Sequence, residues 1–136
     1  MSCHGTCMCG AIEFTLEAPQ KTASACHCTQ CRRWSGHYWA SINGPIDGFS
    51  VTKGADKLSW YKASDYARRG FCSMCGSALF WHGFGLKEFA HLISVGAGTI
   101  DDTKDIKLGR HIFCESKGRY YDLKDGAPIY DKWPGA

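Results

Sequence analysis

Hydrophobic and polar residues alternate in short segments along much of the chain. In AIEFTLEAP the apolar side chains Ile12, Phe14 and Leu16 are separated by polar ones, the two-residue period of a half-buried strand that Pro19 ends. Segments rich in aromatic and β-branched residues predict further strands: HYWASI, KLSWYKAS, YARRGFC, CGSALFWHGF, FAHLISVGAG and RHIFCES. Long segments with helical spacing are absent, so the pattern predicts a mainly β fold of antiparallel strands with little helix.

The connections between these segments carry residues that favour turns. NGPIDG predicts a turn, and the Asp-Gly and Pro of YDLKDGAPIY predict a loop late in the chain. TQCRRWSG is compatible with one short helical turn, which Gly36 would end because glycine tolerates the left-handed conformation of a helix C-cap.

Composition narrows the class of protein. The 136 residues are 44% hydrophobic, which fits a single domain, residues 1–136, with one core. The net charge is only +3, with Lys and Arg scattered along the chain, so nucleic-acid binding is disfavoured. No apolar run approaches the roughly 18 residues of a membrane span, and MSCHGTCMCG lacks the apolar core of a secretory signal. We therefore expect a cytoplasmic protein.

The nine cysteines favour metal binding over disulfides. Their number is odd, no secretory signal accompanies them, and they cluster at short spacings. Short spacing suits a metal, because ligands of one ion must come within about 4 Å of one another, whereas disulfides usually join distant segments. Turns that carry cysteines are thus expected to hold metal ions between the strands.

Two cysteine pairs share a local signature. Cys7 and Cys9 in CMCG, and Cys72 and Cys75 in CSMCG, both end in Cys-Gly. In zinc knuckles the residue after the second cysteine often needs a positive φ, which glycine adopts at little cost. The shared ending predicts one closed, structural tetrathiolate zinc site. Two other readings stay open: four buried free thiols, or pairing of Cys72 and Cys75 with the remaining cluster.

The remaining cluster, Cys26, Cys28 and Cys31, offers three sulfurs but no obvious fourth ligand. Zinc sites with three protein ligands and one free position are the catalytic kind. The candidates for a fourth ligand are Cys3, His4, His27 and Cys114. His27 lies between two ligands, so its side chain is expected to point away from the ion, and Cys114 reads as a small core residue in the strand HIFCES.

Charge indicates what such an ion could do. Three thiolates over-neutralise Zn²⁺ and weaken it as a Lewis acid, so holding a substrate thiol as thiolate is a more natural task than activating water. Arg32 and Arg33 could pair with carboxylates of an acidic thiol. Trp34, His37, Tyr38 and Trp39 could line a pocket.

The segments GTCMCGAIEF, CHCTQCRRWSG, FCSMCGSALFW and HIFCES…YYDLKDGAPIY resemble, in this order, the glutathione-dependent formaldehyde-activating enzyme family, which includes centromere protein V. The resemblance covers nearly the whole chain and is to the short members. It implies a β-tent, two antiparallel sheets packed around zinc-bearing turns. It also implies two zinc ions per chain, one structural on Cys7, Cys9, Cys72 and Cys75, and an open one on Cys26, Cys28 and Cys31.

The resemblance further implies an activity. The family's namesake joins glutathione to formaldehyde, giving S-hydroxymethylglutathione, and is classed as a carbon–sulfur lyase. On this basis we expect a zinc-dependent enzyme that presents glutathione or another small thiol near the open zinc position. The alternatives are a zinc-stabilised binding module for protein or nucleic acid, and a chain whose two zinc sites are both structural.

Overall fold

Two β-sheets form the framework of the computed structural model, which describes residues 1–134. The small sheet contains Ser2–Thr6 (β1), Glu13–Glu17 (β2) and Phe49–Lys53 (β5), in the order β1-β2-β5. The large sheet contains Thr22–Cys26 (β3), Trp39–Pro45 (β4), Leu58–Lys62 (β6), Arg68–Cys72 (β7), Ala78–His82 (β8), Leu92–Gly96 (β9) and Lys107–Ile112 (β10). Its strand order is β10-β3-β4-β9-β8-β7-β6. The predicted mainly β architecture of two sheets is confirmed.

Helical structure is short. One α-helix, Thr29–Ser35 (α1), follows β3, and 3-10 turns cover Ile46–Gly48, Ala55–Lys57, Ala97–Thr99 and Cys114–Ser116. Gly36 ends α1 in the left-handed region with φ 85°, and its N–H donates to the Arg32 carbonyl, as the sequence predicts. Within residues 1–134, no helix has the length and apolar character needed to cross a bilayer.

The predicted turn NGPIDG is wrong in its first half. Asn43, Gly44 and Pro45 continue β4 and pair with β9, and the chain turns only at Ile46–Gly48. Packing explains why a glycine stands here in a strand: a Cβ on Gly44 would lie 2.7 Å from the Leu16 side chain of the small sheet. Close approach of the two sheets therefore requires glycine at this position.

One strand pair departs from the antiparallel expectation. β10 pairs with β3 in parallel, with His111 opposite Ala25 and Ile112 opposite Cys26. A parallel pair needs a long connection, and here 80 residues lie between the end of β3 and the start of β10. The pairing places the segment after β10 beside the three-cysteine cluster.

The core lies between the sheets. Phe14 and Leu16 of β2 pack with Ile42, Phe80 and Val95 of the large sheet, all at most 2% exposed. The Phe14 and Phe80 rings meet edge to face, with centroids 4.9 Å apart. The alternation predicted for Ile12, Phe14 and Leu16 is confirmed, since all three are fully buried.

Candidate metal centres and the adjoining cavity

The structure brings the two Cys-Gly pairs together. The sulfurs of Cys7, Cys9, Cys72 and Cys75 all lie within 4.8 Å of one another. Cys7 Sγ is 3.7 Å from Cys9 Sγ, which is 3.9 Å from Cys72 Sγ. Four thiolates bonded at about 2.3 Å to a tetrahedral zinc ion would be separated by about 3.8 Å. The donor set and its spacing therefore fit a closed zinc site.

The segments CMCG and CSMCG each form a tight turn, called a knuckle here, and the glycine that ends each turn has the same backbone geometry. Gly10 and Gly76 each have φ +79°, as predicted from the shared Cys-Gly ending. A Cβ on either would meet nothing within 4 Å, so conformation rather than space requires glycine. The turns direct backbone N–H groups at the sulfurs, and the Ile12 N–H donates to Cys7 Sγ at 3.2 Å. Such donors stabilise thiolates.

Ser77 links the two knuckles. Its hydroxyl accepts a hydrogen bond from the Met8 N–H at 2.9 Å and lies 3.1 Å from Cys75 Sγ. A metal ion at this cluster would thus fasten the β1–β2 connection to the β7–β8 connection, which lie more than 60 residues apart in the chain.

The second cluster is built where β3 meets α1. Cys26 ends β3, Cys28 is the N-cap of α1, and Cys31 lies buried in its first turn. The three sulfurs lie within 4.8 Å of one another, and the Cys31 N–H donates to Cys28 Sγ at 3.3 Å. Hydrogen bonds from the Cys26 and Cys31 thiols lower the pKa of Cys28, while the hydrogen bonds of Cys26 with Cys28 and Cys31 raise the pKa of Cys26. A cation is therefore needed to hold all three as thiolates, which fits a metal site.

Within residues 1–134, no histidine, cysteine or carboxylate joins these three sulfurs as a fourth ligand. His27 turns away, as predicted: it is fully buried, and its Nε2 lies 2.9 Å from His111 Nδ1. His4 pairs instead with Asp101 and Glu13, next to Cys3 on β1.

Cys114 is also absent from the cluster. The prediction that it lies in a strand is wrong, because β10 ends at Ile112 and Cys114 begins a 3-10 turn. Phe113 causes the break: it adopts φ +55°, a left-handed conformation that no strand continues through.

A cavity of about 410 Å³ adjoins the three-cysteine cluster. Cys26, Cys28 and Cys31 form part of its wall, together with Arg69 of β7. Arg69 is 6% exposed, and its Nη1 lies 3.6 Å from Cys31 Sγ. The three-cysteine cluster thus borders a space large enough for a small molecule.

Sequence comparison places this arrangement in a known group. A family model described as "glutathione-dependent formaldehyde-activating enzyme" matches residues 2–116. The chain belongs to this family. An uncharacterized lyase from Schizosaccharomyces pombe is 30% identical over 132 residues, covering 93% of this chain and 89% of the relative.

A Halomonas elongata protein provisionally named glutathione-dependent formaldehyde-activating enzyme is 34% identical over 88 residues, covering 59% of this chain and 55% of the relative. The alignment with that protein thus covers little more than half of its length. A solved structure from Rhodobacter sphaeroides has a TM-score of 0.60 at 21% identity, covering 93% of this chain and 98% of that one. This likeness shows that the two chains share the fold.

Arg32, Arg33 and His37 are not part of the wall of the cavity beside the three cysteines. Arg33 and His37 are exposed, and His37 Nδ1 lies 2.6 Å from the Tyr120 hydroxyl. Contact between these three residues and a substrate therefore stays a prediction. Of the aromatic residues proposed as pocket walls, Trp39 lines the cavity.

Sequence reasoning missed Arg69. It lies 38 residues from Cys31 in the chain, and only the pairing of β7 with its neighbours carries it to the cysteines. The one signal available was a pair of arginines inside the otherwise apolar strand YARRGFC. Arginine in an apolar strand next to a cysteine pair was thus the sequence feature that could have identified Arg69.

A series of hydrogen-bonded side chains begins at His27, between two of the cluster's cysteines. His27 Nδ1 contacts the Tyr121 hydroxyl, His27 Nε2 contacts His111, and His111 Nε2 lies 2.9 Å from Asp125 Oδ2. His111 is 1% exposed. These hydrogen bonds fasten the loop after β10 to the residue between Cys26 and Cys28, so they hold the cluster's backbone in place.

His27 predicts a pH dependence of stability. Burial lowers its pKa to about 4, and the neighbouring His111 adds to the effect. The unfolded chain protonates this histidine near pH ~6.5. Unfolding therefore takes up a proton as the pH falls below about 6.5 toward 4, and the free energy of unfolding decreases by up to about 1.4 kcal/mol per pH unit.

This loss of stability is checked by melting temperatures of the zinc-loaded wild type and His27→Gln, measured from about pH 7 to about pH 5. Because both proteins keep the cysteines, their common acid sensitivity cancels. We expect the wild type to lose stability more steeply. Parallel slopes would contradict the assignment.

Proposed function

We propose that this chain is a zinc-dependent enzyme of the carbon–sulfur lyase type, acting on an adduct of glutathione or another small thiol. The observation that carries the proposal is the three-cysteine cluster, which borders a cavity of about 410 Å³ and has no fourth protein ligand within residues 1–134. Membership of the family and the lyase name of the Schizosaccharomyces pombe relative support an enzyme. Free cysteines in this number also agree with a reducing, cytoplasmic location.

The seven cysteines of the two clusters divide into two groups by role. Cys7, Cys9, Cys72 and Cys75 would hold a structural zinc, while Cys26, Cys28 and Cys31 would hold a second zinc with one position left open. Zinc bound there would lower the pKa of a substrate thiol and hold it as thiolate.

The chain's own groups prepare the site for that substrate. Arg69 sets a positive charge against the cysteine sulfurs, which offsets the negative charge that three thiolates bring to the site. The cavity's wall is largely aromatic, so the reacting sulfur and the electrophile would lie against a mostly apolar surface.

The reaction we propose is addition of the thiol to an aldehyde, with formaldehyde as the electrophile that the family's name indicates. The thiol loses its proton, the sulfur forms a bond to the carbonyl carbon, and the carbonyl oxygen takes up a proton to become a hydroxyl. The reverse reaction breaks the carbon–sulfur bond and releases the aldehyde and the thiol, which is the lyase direction.

The test is a spectroscopic titration of the protein with Co²⁺ in both sites. We expect glutathione or a smaller thiol to change the cobalt–thiolate absorption, because a new sulfur enters the open position. Cys28→Ser, which keeps the four-cysteine site, is the matched control and should not respond. If no low-molecular-weight thiol alters the wild-type spectrum, the proposed function is wrong, and a binding module becomes the better reading.

A further inference from the structure

The cavity beside the three cysteines has an unusual charge pattern. Arg69 is the one ionised group on its wall other than the cysteines, and the lining within residues 1–134 includes no Asp or Glu. Aromatic side chains form much of the remainder: Trp39, Tyr66, Trp81, Phe89, Phe113 and Trp133. The space therefore favours an occupant with a mostly apolar body.

The aromatic wall is packed as a unit. Trp133 stacks on Phe89 with ring centroids 4.8 Å apart, and the Phe113 ring meets it edge-on at 4.9 Å. Rings that support one another in this way keep a preformed shape, so an apolar ligand would lose little energy in ordering them.

Several polar groups on the wall are already engaged. Ser94 Oγ donates to Asn43 Oδ1 at 2.6 Å, and Ser24 Oγ accepts from Arg110 Nε at 2.7 Å. Ser64 Oγ accepts the Ala67 N–H at 3.1 Å. These contacts hold the side chains in place, and because the groups are neutral they give a charged ligand no counter-charge.

Arg69, by contrast, carries a charge and has hydrogen-bond donors left for a ligand. Its Nη2 donates to Gln30 Oε1 at 3.2 Å, and its guanidinium lies 4.9 Å from the centre of the Trp34 ring. Its Nε is buried without a partner, and no carboxylate within residues 1–134 forms a salt bridge with it. A buried cation in this state can accept one anionic group beside the cysteine sulfurs.

We propose that the preferred thiol of this site is less charged than glutathione: a small thiol with an apolar, aromatic or branched body and one carboxylate near its sulfur, paired with Arg69. Glutathione carries an ammonium and two carboxylates, and the cavity offers no acidic group to receive the ammonium. The carboxylate belongs one or two carbons from the sulfur, because Arg69 Nη1 lies only 3.6 Å from a cluster sulfur. This inference rests on the proposed thiol-binding function.

A thiol panel tests it. The cobalt-substituted protein is titrated with glutathione, 2-mercapto-3-phenylpropionate, 2-phenylethanethiol and cysteamine, and the dissociation constant of each is taken from the cobalt–thiolate absorption. We expect 2-mercapto-3-phenylpropionate to bind at least about 10-fold more tightly than glutathione, and cysteamine to bind most weakly, because its ammonium would face Arg69.

Substitution of the arginine then isolates the charge. In Arg69→Gln, binding of 2-mercapto-3-phenylpropionate should weaken by about 10- to 100-fold more than binding of the uncharged 2-phenylethanethiol, which loses only the effect of Arg69 on the cysteine sulfurs. Arg68→Gln is the matched control: the neighbouring Arg68 lies over the Trp60 ring at 4.0 Å and is not part of the cavity wall, so neither affinity should change.

The outcomes separate the two proposals. If glutathione binds more tightly than the aromatic mercaptocarboxylate, this inference is overturned and the proposed thiol chemistry stands. If none of the four thiols alters the spectrum, the proposed function itself fails. Should Arg69→Gln not fold, the wild-type ranking of the four thiols still decides the matter.

Discussion

Cys72→Ser is expected to unfold the protein at ambient temperature. Cys72 is fully buried at the end of β7, and its sulfur lies within reach of the three others of the four-cysteine site. A structural zinc contributes of order 10 kcal/mol in apparent terms, which is comparable with the whole stability of a domain this size. Serine is a poor zinc ligand, so the variant loses the ion and buries a hydroxyl in its place.

The measurement is thermal unfolding followed by circular dichroism, with zinc content per chain determined on the same samples. Cys3→Ser is the matched control, since Cys3 is a partly buried thiol that belongs to neither cluster. We expect the control to melt within a few degrees of the wild type, a change of about 1 kcal/mol. A cooperative wild-type-like melt of Cys72→Ser would contradict a structural role for the site.

Cys28→Ser is expected to have the opposite profile, losing function but not the fold. Cys28 caps α1 by accepting the Cys31 N–H, and serine is itself one of the best N-cap residues, so the helix keeps its start. The second cluster drops to two sulfurs and should no longer retain its zinc. We expect thiol-dependent aldehyde turnover to fall by at least about 100-fold, since even loss of an outer ligand contact costs about 10- to 100-fold.

The measurement combines zinc content, melting temperature and the rate of adduct formation above the uncatalysed rate of thiol and formaldehyde. We expect one zinc per chain where the wild type holds two, with a melting temperature within a few degrees. Cys114→Ser serves as control for loss of a thiol outside the clusters. If Cys28→Ser destabilises the chain as heavily as Cys72→Ser, the second site is structural.

Much of both cysteine sites could be predicted because their geometry is local. Cys7 and Cys9, or Cys28 and Cys31, lie so close in the chain that one turn brings their sulfurs together. The glycine after each knuckle, with φ +79°, is similarly a property of the turn itself. The alternation in β2 was readable for the same reason, because one face of that strand is buried.

Segments with weak local signals were not predictable. β1 and β3 were missed because short polar or small-residue strands form only when neighbouring strands supply hydrogen bonds. NGPIDG shows the converse, since its turn residues were recruited into β4 by pairing with β9 and by close packing on Leu16. Tertiary context overrode local propensity in both directions.

The sequence by itself determined the ligand groups, the β character and the knuckle turns, because each depends on residues a few positions apart. Only the tertiary structure decided that β10 lies parallel to β3 and that Arg69 faces the three-cysteine cluster. These contacts join segments tens of residues apart, and their free energy depends on strand order and sheet packing, which local pattern does not encode.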